Sequence, residues 1–178
     1  KFRYSFSLYQ TGDGSETDPD GIPTRYLRMQ GNERHLAAIA LNKTLQWRRE
    51  HDIDNLLAKP HSKFDLCKAV FPHYFIGRDK GNHILFVQRP ALLDLEKAEA
   101  IGLSMDDLLM HYVYVNEYLW QILEAEDPFG EMTSVIDMTG IKIAVLRRKT
   151  LVAFVKKLVA TMDSHYPQRA HKTLVLNA

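Results

Sequence analysis

Few residues in this chain have the types and spacing that catalysis needs. There is no Gly-x-Ser-x-Gly nucleophile elbow, no phosphate-cradling loop and no Gly-x-Gly-x-x-Gly fingerprint. Hydrolase or kinase chemistry is therefore not expected, and no catalytic residue is assigned. The eight histidines are scattered without a His-x-x-x-His pair, so no metal is expected, including between His165 and His171 beside Pro167. Asp137 closes an apolar run before Thr139-Gly140, where an aspartate more naturally braces a turn than catalyses. Cys67 sits in an apolar stretch and reads as core. The acidic, turn-rich stretch Gly12 to Gly21 invites a calcium-loop reading, but Leu27 falls where a bidentate glutamate is required.

What remains is apolar and aromatic surface. Leu108, Leu109, Tyr112, Val113, Val115, Leu119, Ile122 and Leu123 are spread too broadly around one helix to face a single core. Tyr112, Tyr114, Tyr118 and Trp120 add hydroxyl and indole groups on several sides. Such a helix is either sandwiched between two layers, or is the wall of an apolar cavity with polar tips aimed at a head group. Arg147-Arg148-Lys149 and Lys156-Lys157 stand near helical spacing, as a solvated face or as a contact for an anionic membrane.

The elements that would position these groups follow from periodicity. Phe2, Tyr4, Phe6 and Leu8 alternate like a strand. A first helix is expected from about Glu33 to Arg49, capped by Asn32, with Leu36, Ile39, Ala40 and Leu45 inward. Two short helical pieces follow, near Leu56 and from Phe64 to Val70. The runs from His73 to Ile76 and from His83 to Val87 flank a turn-rich connection and predict a hairpin. Ser104 with Asp107 resembles a capping box and starts the tyrosine-bearing helix, which reaches about Glu126 before Pro128 and Gly130 break it. Met132 to Met138 (strand), Val145 to Asp163 (helix, with Leu151, Phe154, Val155, Leu158 and Val159 inward) and Thr173 to Leu176 (strand) then form a parallel βαβ crossover. The fold class is α/β: a helical N-terminal region, then a mixed sheet with a hairpin and a parallel crossover, covered by helices.

The 178 residues carry 23 Lys+Arg against 22 Asp+Glu, for a net charge of +1, so no field draws the chain to nucleic acid. With 46 % hydrophobic residues it can bury a core, and a single cysteine excludes an internal disulfide and fits a reducing compartment. No apolar run approaches the ~18 residues of a membrane span, and no signal peptide opens the chain. A soluble, intracellular protein is expected. Lys1 is not an initiator Met and Leu174-Val175-Leu176 closes the chain as a buried strand with no turn after it, so a fragment of a longer protein is expected.

Four segments in order resemble the CRAL-TRIO lipid-binding family. Trp47-Arg48-Arg49-Glu50 with Asp52-Ile53-Asp54 is similar to its Trp-Arg helix end, and Gly77-Arg78-Asp79-Lys80-Gly81-Asn82 to its hairpin. Val135 to Ile141 is similar to its Asp-x-x-Gly strand end. His165-Tyr166-Pro167-Gln168-Arg169, leading to Leu174-Val175-Leu176-Asn177-Ala178, is similar to its Tyr-Pro-Glu-Arg segment and Asn-Ala-Pro strand end. The resemblance covers about Thr24 to Ala178. It implies an extension and acidic linker at 1–23, a helical region at 24–71 and a lipid-binding domain from 72 that is incomplete at 178.

The implied activity is non-enzymatic: binding one phospholipid, of phosphatidylinositol type or another, in an apolar pocket and transferring it between membranes. No cofactor beyond the lipid, and no nucleic acid, is implied. The site assigned is Tyr112, Val115, Leu119, Ile122, Ile136, Met138 and Ile141 lining a hollow between the long helix and the sheet, with Lys142 at the head group. The protein would be cytoplasmic and peripheral to membranes. Asn82-His83 replace the family's Arg-Pro, Lys142 and Ala144 stand where the phosphatidylcholine-transferring branch has serines, and Gln30 and Gly31 replace an Arg-Lys pair. The alternative is a lipid-sensing or scaffold module of a larger regulatory protein.

Overall fold

The computed structural model describes residues 21–125, 130–142 and 147–178. The strand-like period at 2–8, most of the acidic linker, Ala144 and the expected helix start at Val145 lie outside them. The fold divides into two compact units.

The first unit is helical. It contains α1 (Thr24–Met29), α2 (Arg34–Glu50), a 3₁₀ segment (Ile53–Ala58), the second half of the long helix α5 (Met105–Tyr118) and the segment from Thr161 to Arg169. Ile22, Tyr26 and Ala37 are buried together, with Leu27, Met29 and Leu41 packed on them. Asn32 does not cap α2. It adopts a left-handed φ of 67°, and its N–H reaches back 2.8 Å to the carbonyl of Leu27, so it closes α1. The buried face of α2 is not the expected one either. Leu36 and Ile39 are exposed, while Ala37, Thr44 and Arg48 are buried. A long-range ion pair on Arg48 turns the helix onto its small and polar side, which the apolar spacing alone could not reveal.

The second unit carries the short helices α3 (Phe64–Val70) and α4 (Leu95–Ala100) and the sheet. Its strands are β1 (His73–Arg78), β2 (Ile84–Gln88), β3 (Met132–Asp137) and β4 (Ala170–Leu176), in that spatial order. β1 and β2 form the antiparallel hairpin, and β2–β3 and β3–β4 are parallel. The mixed sheet, hairpin and crossover match the expected α/β class. A bulge between Phe75 and Arg78 contains Gly77 at φ 115°, a conformation that side chains disfavour. The capping box holds: the Ser104 N–H donates to Asp107 Oδ2 at 2.8 Å and the Asp107 N–H donates to Ser104 Oγ at 3.0 Å.

Three expectations change. The long helix is α-helical only to Tyr118 and then widens into a π-helical turn, Leu119–Leu123, closed by the Glu124 N–H on the carbonyl of Leu119. In α6 (Lys149–His165), Leu151 and Phe154 are buried but Val155 and Val159 are exposed. The terminal strand β4 is exposed along its whole length rather than buried, as an edge strand.

Candidate functional site

Register and the two-residue period of a strand divide the side chains of the sheet into two faces. Phe75 pairs with Phe86, Phe86 with Ser134, and Gln88 with Ile136, so these share one face with His73 and Ile84. Tyr74 pairs with Val87, Val87 with Val135, and Val135 with Leu174, so these share the other with Leu85 and Leu176.

The first face is filled around His73, Ile84 and Phe86, while Val175 of β4, paired with Ile136 on the same face, is 53 % exposed. Tyr112, from the first half of α5, lies 5.6 Å from His73 and 5.7 Å from Phe86 between ring centroids, and stacks on Phe71 at 5.7 Å. Its hydroxyl donates to Gln88 Oε1 at 3.1 Å, and the Gln88 amide donates to Ser134 Oγ at 3.1 Å. Phe71 meets Phe154 of α6 edge-on at 5.6 Å. Burial, with the charges of Lys68 and His111 adding to it, pushes His73 down to about 3, so its imidazole is neutral in this cluster. The hollow assigned to this side is therefore occupied around Tyr112 by protein side chains, because three rings and an amide chain fill the space between helix and sheet.

The second face is different. Tyr74, Leu174 and Leu176 are 43–46 % exposed, and Leu85, Val87 and Val135 are half-buried. Large apolar side chains thus run across all four strands without being fully enclosed. The sequence signal was present: Ile84-Leu85-Phe86-Val87 is apolar at consecutive positions, which a strand shows when both its faces meet apolar material.

Polar groups gather where β3 and β4 end. Asp137 Oδ1 accepts from the Thr139 N–H at 3.0 Å, the Thr139 hydroxyl at 2.6 Å and the Asn177 amide at 2.9 Å. Arg89 Nε stands 3.3 Å from Asp137 Oδ2. The Thr139 hydroxyl and the Asn177 amide, with lesser help from Arg89, hold the Asp137 carboxyl down at about 2. The turn-bracing reading of Asp137 is the one the geometry supports.

The other assigned residues are dispersed. Ile136 is half-buried on the filled face, and Met138 and Ile141 are half-buried just beyond β3, with Lys142 exposed. Val115 and Leu119 are buried in the helical unit, whereas Ile122 is 48 % exposed. The basic stretch is partly paired, Arg148 with Glu96 at 2.8 Å and Lys157 with Asp106 at 2.5 Å.

A family model described as the CRAL/TRIO domain matches residues 69–178. The chain belongs to the CRAL/TRIO family. The matched span holds the four described strands together with α5 and α6. Protein real-time of Aedes aegypti is 26 % identical over 159 residues, covering 86 % of this chain and 24 % of that protein. Patellin-1 of Arabidopsis thaliana is 25 % identical over 158 residues, covering 89 % of this chain and 27 % of that protein. This CRAL/TRIO chain thus spans about a quarter of the length of these curated relatives. The crystal structure of Sfh5 matches in fold with a TM-score of 0.58 at 18 % identity, over 84 % of this chain and 52 % of that one.

Proposed function

We propose that this CRAL/TRIO chain holds one lipophilic molecule, a phospholipid of phosphatidylinositol or another type, against the incompletely covered face of its sheet and passes it between membranes without chemical change. The observation that carries this reading is the continuous apolar face formed by Tyr74, Leu85, Val87, Val135, Leu174 and Leu176. Family membership supports it. An acyl chain laid on such a face gains about 0.8 kcal/mol per buried methylene, on the order of 10 kcal/mol for a chain of ordinary length. That is enough to carry a lipid through water with no covalent step.

The exposed Lys142 follows the polar end of β3, where an ammonium suits a lipid phosphate. Exchange would take place at a membrane surface with the protein peripheral to it; no helix among the described residues is long and apolar enough to cross a bilayer. The test is an organic extract of the purified full-length protein, examined by mass spectrometry, together with lipid exchange between vesicles. A bound lipid that is lost in Val87→Asp and Val135→Asp, but kept in Tyr112→Phe, is the expected result. Empty extracts without exchange would overturn the reading. A second reading, a lipid-sensing or scaffold module, is favoured by the quarter-length match to the curated relatives. Lipid bound without exchange would decide for it.

A further inference from the structure

Away from the open sheet face, His61, Cys67 and His111 bring two imidazoles and a thiol together, and their donor atoms all lie within 4.8 Å of one another. His61 precedes α3 (Phe64–Val70), Cys67 lies inside α3 and His111 comes from α5. His61 Nε2 and His111 Nδ1 are 3.0 Å apart. An ion at the Zn–N and Zn–S distances of about 2.0–2.3 Å sets its donors roughly 3.3–3.7 Å apart in a tetrahedral site, so small side-chain shifts complete it.

We propose that His61, Cys67 and His111 form a binding site for a borderline-soft divalent metal ion of the Zn²⁺ class. The donor set is nitrogen and sulfur with no carboxylate, which selects such ions over Mg²⁺ or Ca²⁺. Cys67 and His111 are fully buried and His61 is half-buried, so His61 marks the side from which an ion enters and where a fourth ligand could stand. The nitrogen that His111 turns toward His61 is Nδ1, so Nδ1 is the atom that would ligate.

The surroundings suit a metal. Phe64 stands edge-on to both imidazoles, at 5.6 Å from His61 and 5.1 Å from His111, and shields them from water. The Cys67 thiol donates to the backbone carbonyl of Asp107 at 4.0 Å, a bond that metal binding would replace, and the Asp107 carboxylate is fixed by Lys63 at 2.7 Å and by Ser104. The Asp107 carboxylate is thus engaged by Lys63 and Ser104 and does not compete as a ligand. On binding, Cys67 becomes a thiolate and its proton passes to solvent. The ion would tie the entry of α3 to α5 and so brace the helix that covers the filled face.

The other histidine group does not compare. Asp79 Oδ1 already accepts from the N–H groups of Gly81 and His83, and Oδ2 accepts from Thr133, so the Asp79, His83 and His171 cluster is occupied with its turn. Spacing could not signal the first site, because His61, Cys67 and His111 meet only through tertiary packing.

The full-length protein, stripped with chelator, is to be titrated with CoCl₂ alone. One equivalent per chain is expected, with tetrahedral visible bands and a near-ultraviolet thiolate-to-cobalt charge-transfer band that Zn²⁺ bleaches. Cys67→Ser should remove the charge-transfer band. His61→Ala, at a half-buried position that packing tolerates, should weaken affinity by more than about tenfold. His171→Ala should change neither. A folded protein without the band, or a band that persists in Cys67→Ser, overturns the site.

Discussion

Arg48 and Glu117 are 69 residues apart in sequence and meet in a two-pronged ion pair, Nη1 to Oε1 at 2.7 Å and Nη2 to Oε2 at 3.1 Å. Both residues are 3 % exposed. Burial alone would favour the neutral guanidine, but the Glu117 carboxylate outweighs it and holds the proton on Arg48 more tightly than usual. Arg48 Nε also donates to Asp54 at 2.7 Å, and Tyr166 and Gln121 donate to Glu117. One ion pair thus joins α2, the 3₁₀ segment, α5 and the segment after α6 within the helical unit.

Arg48→Met is expected to cost about 3–5 kcal/mol in urea unfolding, because it leaves Glu117 charged and buried without its partner. Adding Glu117→Leu should recover a large part of that loss. Equal and additive losses would mean the two residues are not coupled.

Tyr112→Ala should cost about 3–5 kcal/mol, the usual penalty for emptying a packed aromatic site. Tyr112→Phe removes only the hydroxyl donated to Gln88 and should cost about 1 kcal/mol. Unchanged lipid exchange in Tyr112→Phe would separate this packing role from the open face.

Gly77→Ala places a side chain at φ 115° in the β1 bulge and should destabilise by about 1–3 kcal/mol through backbone strain rather than a clash. Nothing lies within 4 Å of the added methyl position. A stability equal to the parent protein would contradict the bulge.

His165 stacks on Trp47 with ring centroids 4.1 Å apart and meets Thr44 Oγ1 at 3.0 Å. Burial, then the charges of His51 and Arg48, push it down to about 4. The unfolded chain, with an ordinary histidine near 6.5, binds the proton more readily, so this contribution is complete above about pH 6.5 and is lost as pH falls toward 4. Its upper bound is about 3 kcal/mol. Chemical denaturation at pH 7.5 and pH 4.5 should show the loss, and His165→Gln should reduce it.

Local order was legible in the sequence because its causes are local. The β-rich runs His73–Ile76 and His83–Val87 around a turn-rich connection set the hairpin, the Ser104–Asp107 pair set the start of α5, and the β3–α6–β4 run set the crossover. Each depends on relationships two to four residues apart. The family segments were legible for the same reason, as short strings with their own turn and capping chemistry.

Tertiary structure decided what depends on residues far apart in the chain. Which face of α2 is buried turned on Glu117, which no spacing within α2 could announce. Which side of the sheet is filled and which is open turned on Phe71, Tyr112 and Phe154 converging from three helical or loop segments. The meeting of His61, Cys67 and His111 is of the same kind. Strand and helix periods are written in neighbouring residues, but partners across a fold are chosen by packing volume and buried charge, and these exist only once the chain has closed on itself.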